Sequence, residues 1–337
     1  MWLLSTDRAE LRFFNGPLDV SEGFAILSHR WDDHEQTFED VQALRLQCKA
    51  DGTNPRKLVC TKIRESCKLA EKHGHKWLWI DTCCIDKRSS VELSEAVNSM
   101  FRYYSLSNIC YAYLRDVPAR SDEGWELKFK QSVWHDRAWT LQELIAPKLL
   151  LFVSSKWTSL GTKAEHAELI NSITTVPAEV LCLEQDISEI SIYDRMVWAA
   201  ARRATKVEDE AYSLMGIFGI NMPILYGEGQ HAFYRLQEEI MKTSTDTSLF
   251  AWGGWNNFRT PTASRSPSPQ AESAGPDYCS IHEDSGHYLL APSPIVFNAR
   301  RPGIRFHVRI TFTFSAERTV KLTLFCSGWL RYWQHVD

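Results

Sequence analysis

The chain has 337 residues, enough for two domains or for one large domain with appendages, and its 44% hydrophobic content is that of an ordinary globular protein. A formal charge of −4 offers no general attraction to phosphate backbones or anionic lipid, which sets nucleic acid aside as a main partner. The opening apolar run is too short for a secretory signal and no later one reaches membrane-spanning length, while nine cysteines, an odd number scattered among apolar neighbours, suit reduced thiols; a soluble cytoplasmic protein is expected.

Residues 24–28 form a short apolar run that predicts a buried strand and deliver His29, Arg30, Trp31 and Asp32 at its end. Residues 58–73 carry Val59, Ile63, Cys67 and Ala70 as one helical stripe, closed by Gly74. The next strand, 77–80, runs straight into Asp81, Asp86 and Lys87. Polar groups delivered at strand ends are where open α/β sheets place ligand contacts. A helix over 90–105, a strand over 109–114, a polar loop over 116–124, a short helix over 125–133 and a strand over 149–153 complete this part.

Between the last two lies the stretch Trp134-His-Asp-Arg-Ala-Trp-Thr-Leu-Gln-Glu-Leu-Ile-Ala-Pro147. With Asp136 as N-cap and Pro147 as stop, it predicts a helix over 137–146 with Trp139 and Glu143 four residues apart on one face. Two readings stay open on this fragment: Glu143 as a solvated helix former beside a core Trp139, or an acidic group held against an indole in a site.

Alternating strands and helices over 1–160 predict an open, mainly parallel sheet flanked by helices. Its C-terminal edge gathers Ser28, Arg30, Asp81, Asp86 and Lys87, with the Trp139/Glu143 helix closing over it. Residues 161–252 read as a helical extension packed on that domain, with helices over 163–174, 193–204, 208–218 and 230–243. A Pro/Ser/Gly-rich linker over 253–286 follows, then a β-rich segment, 287–337, with a hairpin of 304–314 and 319–329 around turn residues 315–318. The Gly227-x-Gly229-x-x-Ala232 pattern has no strand before it and reads as a helix start; Cys60, Cys67, His73 and His75 lack zinc spacing. Neither a metal nor a bound cofactor is expected.

Three blocks, Ala25-Ile-Leu-Ser-His-Arg-Trp31, Leu78-Trp-Ile-Asp-Thr-Cys-Cys-Ile-Asp-Lys87 and Arg137-Ala-Trp-Thr-Leu-Gln-Glu-Leu144, resemble the signature blocks of the fungal heterokaryon incompatibility (HET) domain. Residues 203–229 are similar to the segment that follows those blocks, so the resemblance covers about residues 1–252. Lys87 departs from the Gln usual in that family. The HET domain in turn resembles the Toll/interleukin-receptor (TIR) domain, which implies a flavodoxin-like α/β fold. Trp139-Thr-Leu-Gln-Glu143 has the spacing of the TIR Trp-Cys-x-x-Glu motif, with Thr140 in place of Cys. By that match Glu143 takes the place of the catalytic glutamate of NAD-cleaving TIR enzymes.

The resemblance thus implies an effector of incompatibility and regulated cell death that hydrolyses the nicotinamide N-glycosidic bond of NAD. It acts as a homo-oligomer and answers to an incompatibility partner protein. Ser28, Arg30, Trp31, Asp81, Asp86 and Trp139 are the candidate substrate-binding residues, since indoles stack on rings and Arg30 can pair with a phosphate. Core packing for the two indoles, and structural ion pairing for Arg30, Asp81 and Asp86, stay open beside that. The alternative from another class is a non-catalytic signalling module that uses the same fold for homotypic assembly.

Overall fold

The sheet is parallel at its centre and antiparallel at both edges in a computed structural model, which describes residues 1–252, 290–297, 309–314 and 320–325. Strands β1 (Trp2–Ser5) and β2 (Leu11–Phe13) pair antiparallel, and β1 also pairs antiparallel with β4 (Trp77–Ile80). Strand β3 (Ala25–His29) is parallel to β4 on one side and to β5 (Ile109–Tyr113) on the other, and β5 is parallel to β6 (Leu150–Val153). A final strand, β7 (Ser159–Thr162), returns antiparallel along β6. The seven-stranded order is β2-β1-β4-β3-β5-β6-β7.

The expected parallel character therefore holds for the four central strands, and antiparallel strands cover both edges. Strands β2 (Leu-Arg-Phe) and β7 (Ser-Leu-Gly-Thr) escaped the periodicity argument because neither is a continuous apolar run, unlike the comparably short β4 and β6. In β1 the adjacent Leu3 and Leu4 are both fully buried, so no alternation marks it.

Helices α1 (Phe38–Asp51) and α2 (Thr61–Lys72) connect β3 to β4, α3 (Ser90–Leu106) connects β4 to β5, and α4 (Trp125–Lys130) and α5 (Thr140–Ile145) connect β5 to β6. The chain steps from β3 to β4 in one direction and then back across β3 to β5. Right-handed crossovers then put α1 and α2 on one face of the sheet and α3 to α5 on the other. The reversal makes the gap between the C-terminal ends of β3 and β5 the topological switch point.

Beyond the sheet come α6 (Ala167–Thr174), α7 (Ala178–Leu181), α8 (Ile192–Ala200), α9 (Asp209–Tyr212), α10 (Met215–Phe218) and α11 (His231–Thr243). The single helix expected over 208–218 is two short ones, and the second lays Gly216 against Phe101 of α3. One hydrophobic cluster joins the sheet to this extension, from Leu27 and Tyr104 through Leu141 to Met196, Trp198 and Leu236. No helix among the described residues is long and apolar enough to cross a membrane. Strands β8 (Arg309–Phe314) and β9 (Val320–Phe325) pair antiparallel as the expected hairpin; its turn and the linker over 253–286 lie outside the described residues.

Candidate functional site

Helix α5 is short and wholly interior: every residue from Thr140 to Ile145 is buried. Its first turn is not capped by Asp136, whose carbonyl instead accepts the Arg203 amide at 2.6 Å. Trp139 occupies the N-cap position with helical backbone angles and no capping side chain. At the other end the ammonium of Lys163, itself 2% exposed, donates to Pro147 O at 2.7 Å and Ile145 O at 3.4 Å, covering carbonyls that the helix leaves open. Burial pushes that ammonium down to about 8.

Glu143 points from α5 to the end of β3. It is 4% exposed, which overturns the solvated reading of this residue. Ser28 Oγ donates to Glu143 Oε2, and the indole N–H of Trp134 donates to the same Ser28 Oγ at 2.8 Å. Tyr104 of α3 stands beside them, its hydroxyl donating to Leu27 O at 3.3 Å. Burial, and next the charge of Asp81, push the Glu143 carboxyl up to about 8 against the pull of Ser28, Arg137 and Tyr104. A group that exchanges its proton near neutral pH at a switch point is a candidate acid, base or charge stabiliser.

Successive residues of a strand face opposite sides, so His29 lies across the sheet from Ser28. Its ring is fully enclosed, with Nδ1 3.8 Å from Asp81 and Nε2 3.8 Å from Glu35, and neither nitrogen has a hydrogen-bond partner among the described residues. Burial first, then Lys62, Lys87 and Arg137, hold it well below the usual histidine range, so it is neutral. Lys62 pairs with Asp32 at 2.7 Å and with Glu35, and Arg115 also binds Asp32.

Trp31 forms the rim. It is 40% exposed, its indole N–H donates to Asp81 Oδ2 at 2.6 Å, and the Lys87 ammonium lies 3.8 Å from the ring centre. Arg30 is half-buried.

The fold thus brings Ser28, Asp81, Trp31 and Glu143 to one sheet edge from sequence positions up to 115 residues apart. Asp86 instead braces its own loop, accepting the Arg88 amide at 3.0 Å. The Trp139 indole lies beside Asp209 of the extension, whose carboxylate accepts the Tyr226 hydroxyl at 2.9 Å. Trp134, Tyr104 and Arg202 neighbour Glu143 and carried no signal beyond apolar periodicity or mere proximity to a motif, while His29, named within the first block, stands on the opposite face of the sheet. The amides of Gly227 and Gly229 both donate to Glu208 Oε1, at 2.7 and 3.1 Å, so the chain's own carboxylate fills that glycine loop.

Two clefts among the described residues lie elsewhere: one along Phe13, Trp79, Glu92 and Tyr103, the other along Arg120, Trp125, Glu165 and His166.

Residues 24–127 match the model of the heterokaryon incompatibility protein (HET) family, and residues 231–319 match a domain of unknown function, DUF8212. The first match holds Ser28, Arg30, Trp31, Asp81 and Asp86, while Trp139 and Glu143 lie beyond it. The chain is 42% identical over 227 residues to vegetative incompatibility protein HET-E-1 of Podospora anserina, covering 65% of this chain and 16% of that protein. No solved structure matches.

Proposed function

We propose, from the match of residues 24–127 to the heterokaryon incompatibility family and the likeness to HET-E-1, a role in vegetative incompatibility and regulated cell death, executed by hydrolysis of the nicotinamide N-glycosidic bond of NAD at Glu143. The observation that carries this reading is the enclosed Glu143 carboxyl held by Ser28, with the charge of Asp81 opposing its ionisation, so that each sequence block supplies one residue to the site. The strand order supports a flavodoxin-like, TIR-like assignment: β4-β3-β5-β6 is second-first-third-fourth among the parallel strands, and such sheets bind ligands between the first and third.

The chemistry follows from the charge of the substrate. The nicotinamide ring of NAD is cationic, and a cation beside Glu143 favours the carboxylate form. As the bond to C1′ of the ribose breaks, its electron pair leaves with nicotinamide, which departs neutral and needs no proton. Glu143 then faces the developing oxocarbenium ion and lowers its energy. Water adds to C1′ and releases a proton, giving ADP-ribose. Trp31 offers a stacking face, and Arg30 and Lys87 offer positive charge to the diphosphate.

Because Glu143 is closed against Ser28, substrate entry requires that contact to open, and self-association or an incompatibility partner is the proposed trigger. The test is nicotinamide release from NAD by the concentrated chain, in cytoplasm-like salt, beside a folded Glu143→Ala variant. Release that falls at least about 100-fold in the variant supports the reading. No release, even from crosslinked assemblies, rejects it.

The same closure favours one other reading. With Glu143 already satisfied by Ser28, the three blocks act as the structural centre of a non-catalytic assembly module. Cell killing that persists in Glu143→Gln selects this second reading.

A further inference from the structure

The loop after α8 carries Arg202 beneath α5. Its Nε donates to Trp198 O at 3.2 Å, and its Nη1 donates to Arg137 O at 3.1 Å and to Thr140 Oγ1 at 3.0 Å. Its Nη2 is enclosed and has no hydrogen-bond partner among the described residues. An enclosed guanidinium nitrogen with unspent N–H groups is costly, because the donors have left water without replacement.

The position of that nitrogen suggests what it awaits. Thr140 and Glu143 are three residues apart on α5 and share a face, so a guanidinium docked on Thr140 stands on the carboxyl's side of the helix. The two also meet through one hydrogen-bonded chain. Thr140 Oγ1 donates to Trp134 O at 2.6 Å, the Trp134 indole donates to Ser28, and Ser28 donates to Glu143. Burial lowers the Arg202 guanidinium to about 10, while Asp136 and Glu143 pull it back up.

Other groups face Glu143 from each neighbouring element. Ser28 comes from β3, Asp81 from the end of β4, Tyr104 from α3, Cys110 from β5, and Arg137 from the turn before α5. Asp81 opposes ionisation, and Tyr104 and Cys110 are themselves held protonated by burial. Arg137 already gives Nη1 to Thr205 at 2.6 Å. Of the cations near Glu143, Arg202 is the one with an enclosed donor nitrogen that has no hydrogen-bond partner among the described residues.

We propose that Arg202 is the counter-charge of ionised Glu143, a positioning residue supplied by the helical extension whose Nη2 takes up the carboxylate when its proton leaves. This rests on Glu143 being the working carboxylate, but its test does not need catalysis.

The side-chain carboxyl of Glu143 is followed by 13C NMR in the full chain across pH, with Glu143→Gln for assignment. In Arg202→Gln the midpoint is expected to rise by about one unit or more, a tenfold loss of acidity. A folded Arg202→Gln with an unmoved midpoint overturns the proposal. A second measurement uses the unaltered chain and so does not depend on that variant folding. The guanidinium resonances of Arg202 are expected to shift with the Glu143 midpoint and to lose that response in Glu143→Gln. Guanidinium signals that ignore the titration overturn the proposal. A moved midpoint in a chain that never releases nicotinamide rejects the NAD reading and leaves the Arg202 pairing standing.

Discussion

Glu143 should cost the fold more stability as pH rises, which separates it from a surface glutamate. Its folded value, about 8, lies above the ordinary 4.5, so the folded state holds a proton that the unfolded state has lost. The stability from that proton is full below about pH 4.5 and is lost as pH climbs through about 8, at no more than about 1.4 kcal/mol per pH unit. Glu143→Gln holds no such proton, so its stability relative to the parent is expected to grow with pH across that window and then level off. Urea unfolding at several pH values measures it; a constant difference between the two proteins refutes the raised value. Much of this centre was legible in the sequence, since the three blocks named Ser28, Asp81 and Glu143. Trp134, Tyr104 and Arg202 were not, because an indole, a phenol or a guanidinium that turns inward leaves no mark in apolar periodicity. Trp139 was placed four residues before Glu143 on a helix expected to start at 137. In the fold it is the N-cap, with helical backbone angles and its carbonyl accepting the Glu143 amide at 3.4 Å, and its indole lies beside Asp209.

At the level of elements, what the sequence hid was held together by end chemistry rather than by apolar stripes. Helix α1 buries only Phe38, Val41 and Cys48 among its larger apolar residues and leaves Leu46 70% exposed, so no periodic face announces it. A capping box fixes its start: Thr37 Oγ1 accepts the Asp40 amide at 3.3 Å while Asp40 Oδ2 accepts the Thr37 amide at 2.9 Å. Gly52 closes it in the left-handed conformation, φ 73°. Thr37-x-x-Asp40 and Gly52 were the available signals, with Asp where Glu or Gln usually completes the box. Thr37→Ala is expected to cost about 1 kcal/mol in urea unfolding, with Thr37→Ser close to the parent. Equal stability of all three would show that packing, not the cap, holds α1. The central strands, by contrast, were legible to within a residue or two, because β3, β4, β5 and β6 are short apolar runs that end in polar clusters.

Across the whole molecule, the extension is tied into the sheet domain at several independent points. Arg203 N donates to Asp136 O and Ala138 N donates to Arg203 O, a short parallel bridge that leads into α5. Asn98 of α3 gives its side-chain N–H to Met222 O at 3.2 Å and takes the Met222 amide at 3.1 Å. Gly216 of α10 lies so near α3 that a Cβ there would stand 2.2 Å from Phe101 Cβ, an atom fixed to the helix backbone and unable to swing aside. Gly216→Ala therefore has to push α10 away from α3, at about 1–3 kcal/mol. If the extension and the sheet share one core, that single methyl lowers two signals together: far-UV circular dichroism, which reports helices throughout the chain, and tryptophan fluorescence in a background with Trp198, Trp252, Trp255, Trp329 and Trp333 replaced by Phe, which leaves tryptophans of the sheet domain, the buried Trp79 and Trp134 among them, to report that domain. If they are separate folding units, the fluorescence midpoint stays where it was while part of the helical signal melts early. Coincident midpoints would place Arg202 inside the same cooperative structure as Glu143, where a counter-charge has to be if it is to hold its geometry whenever the carboxyl ionises.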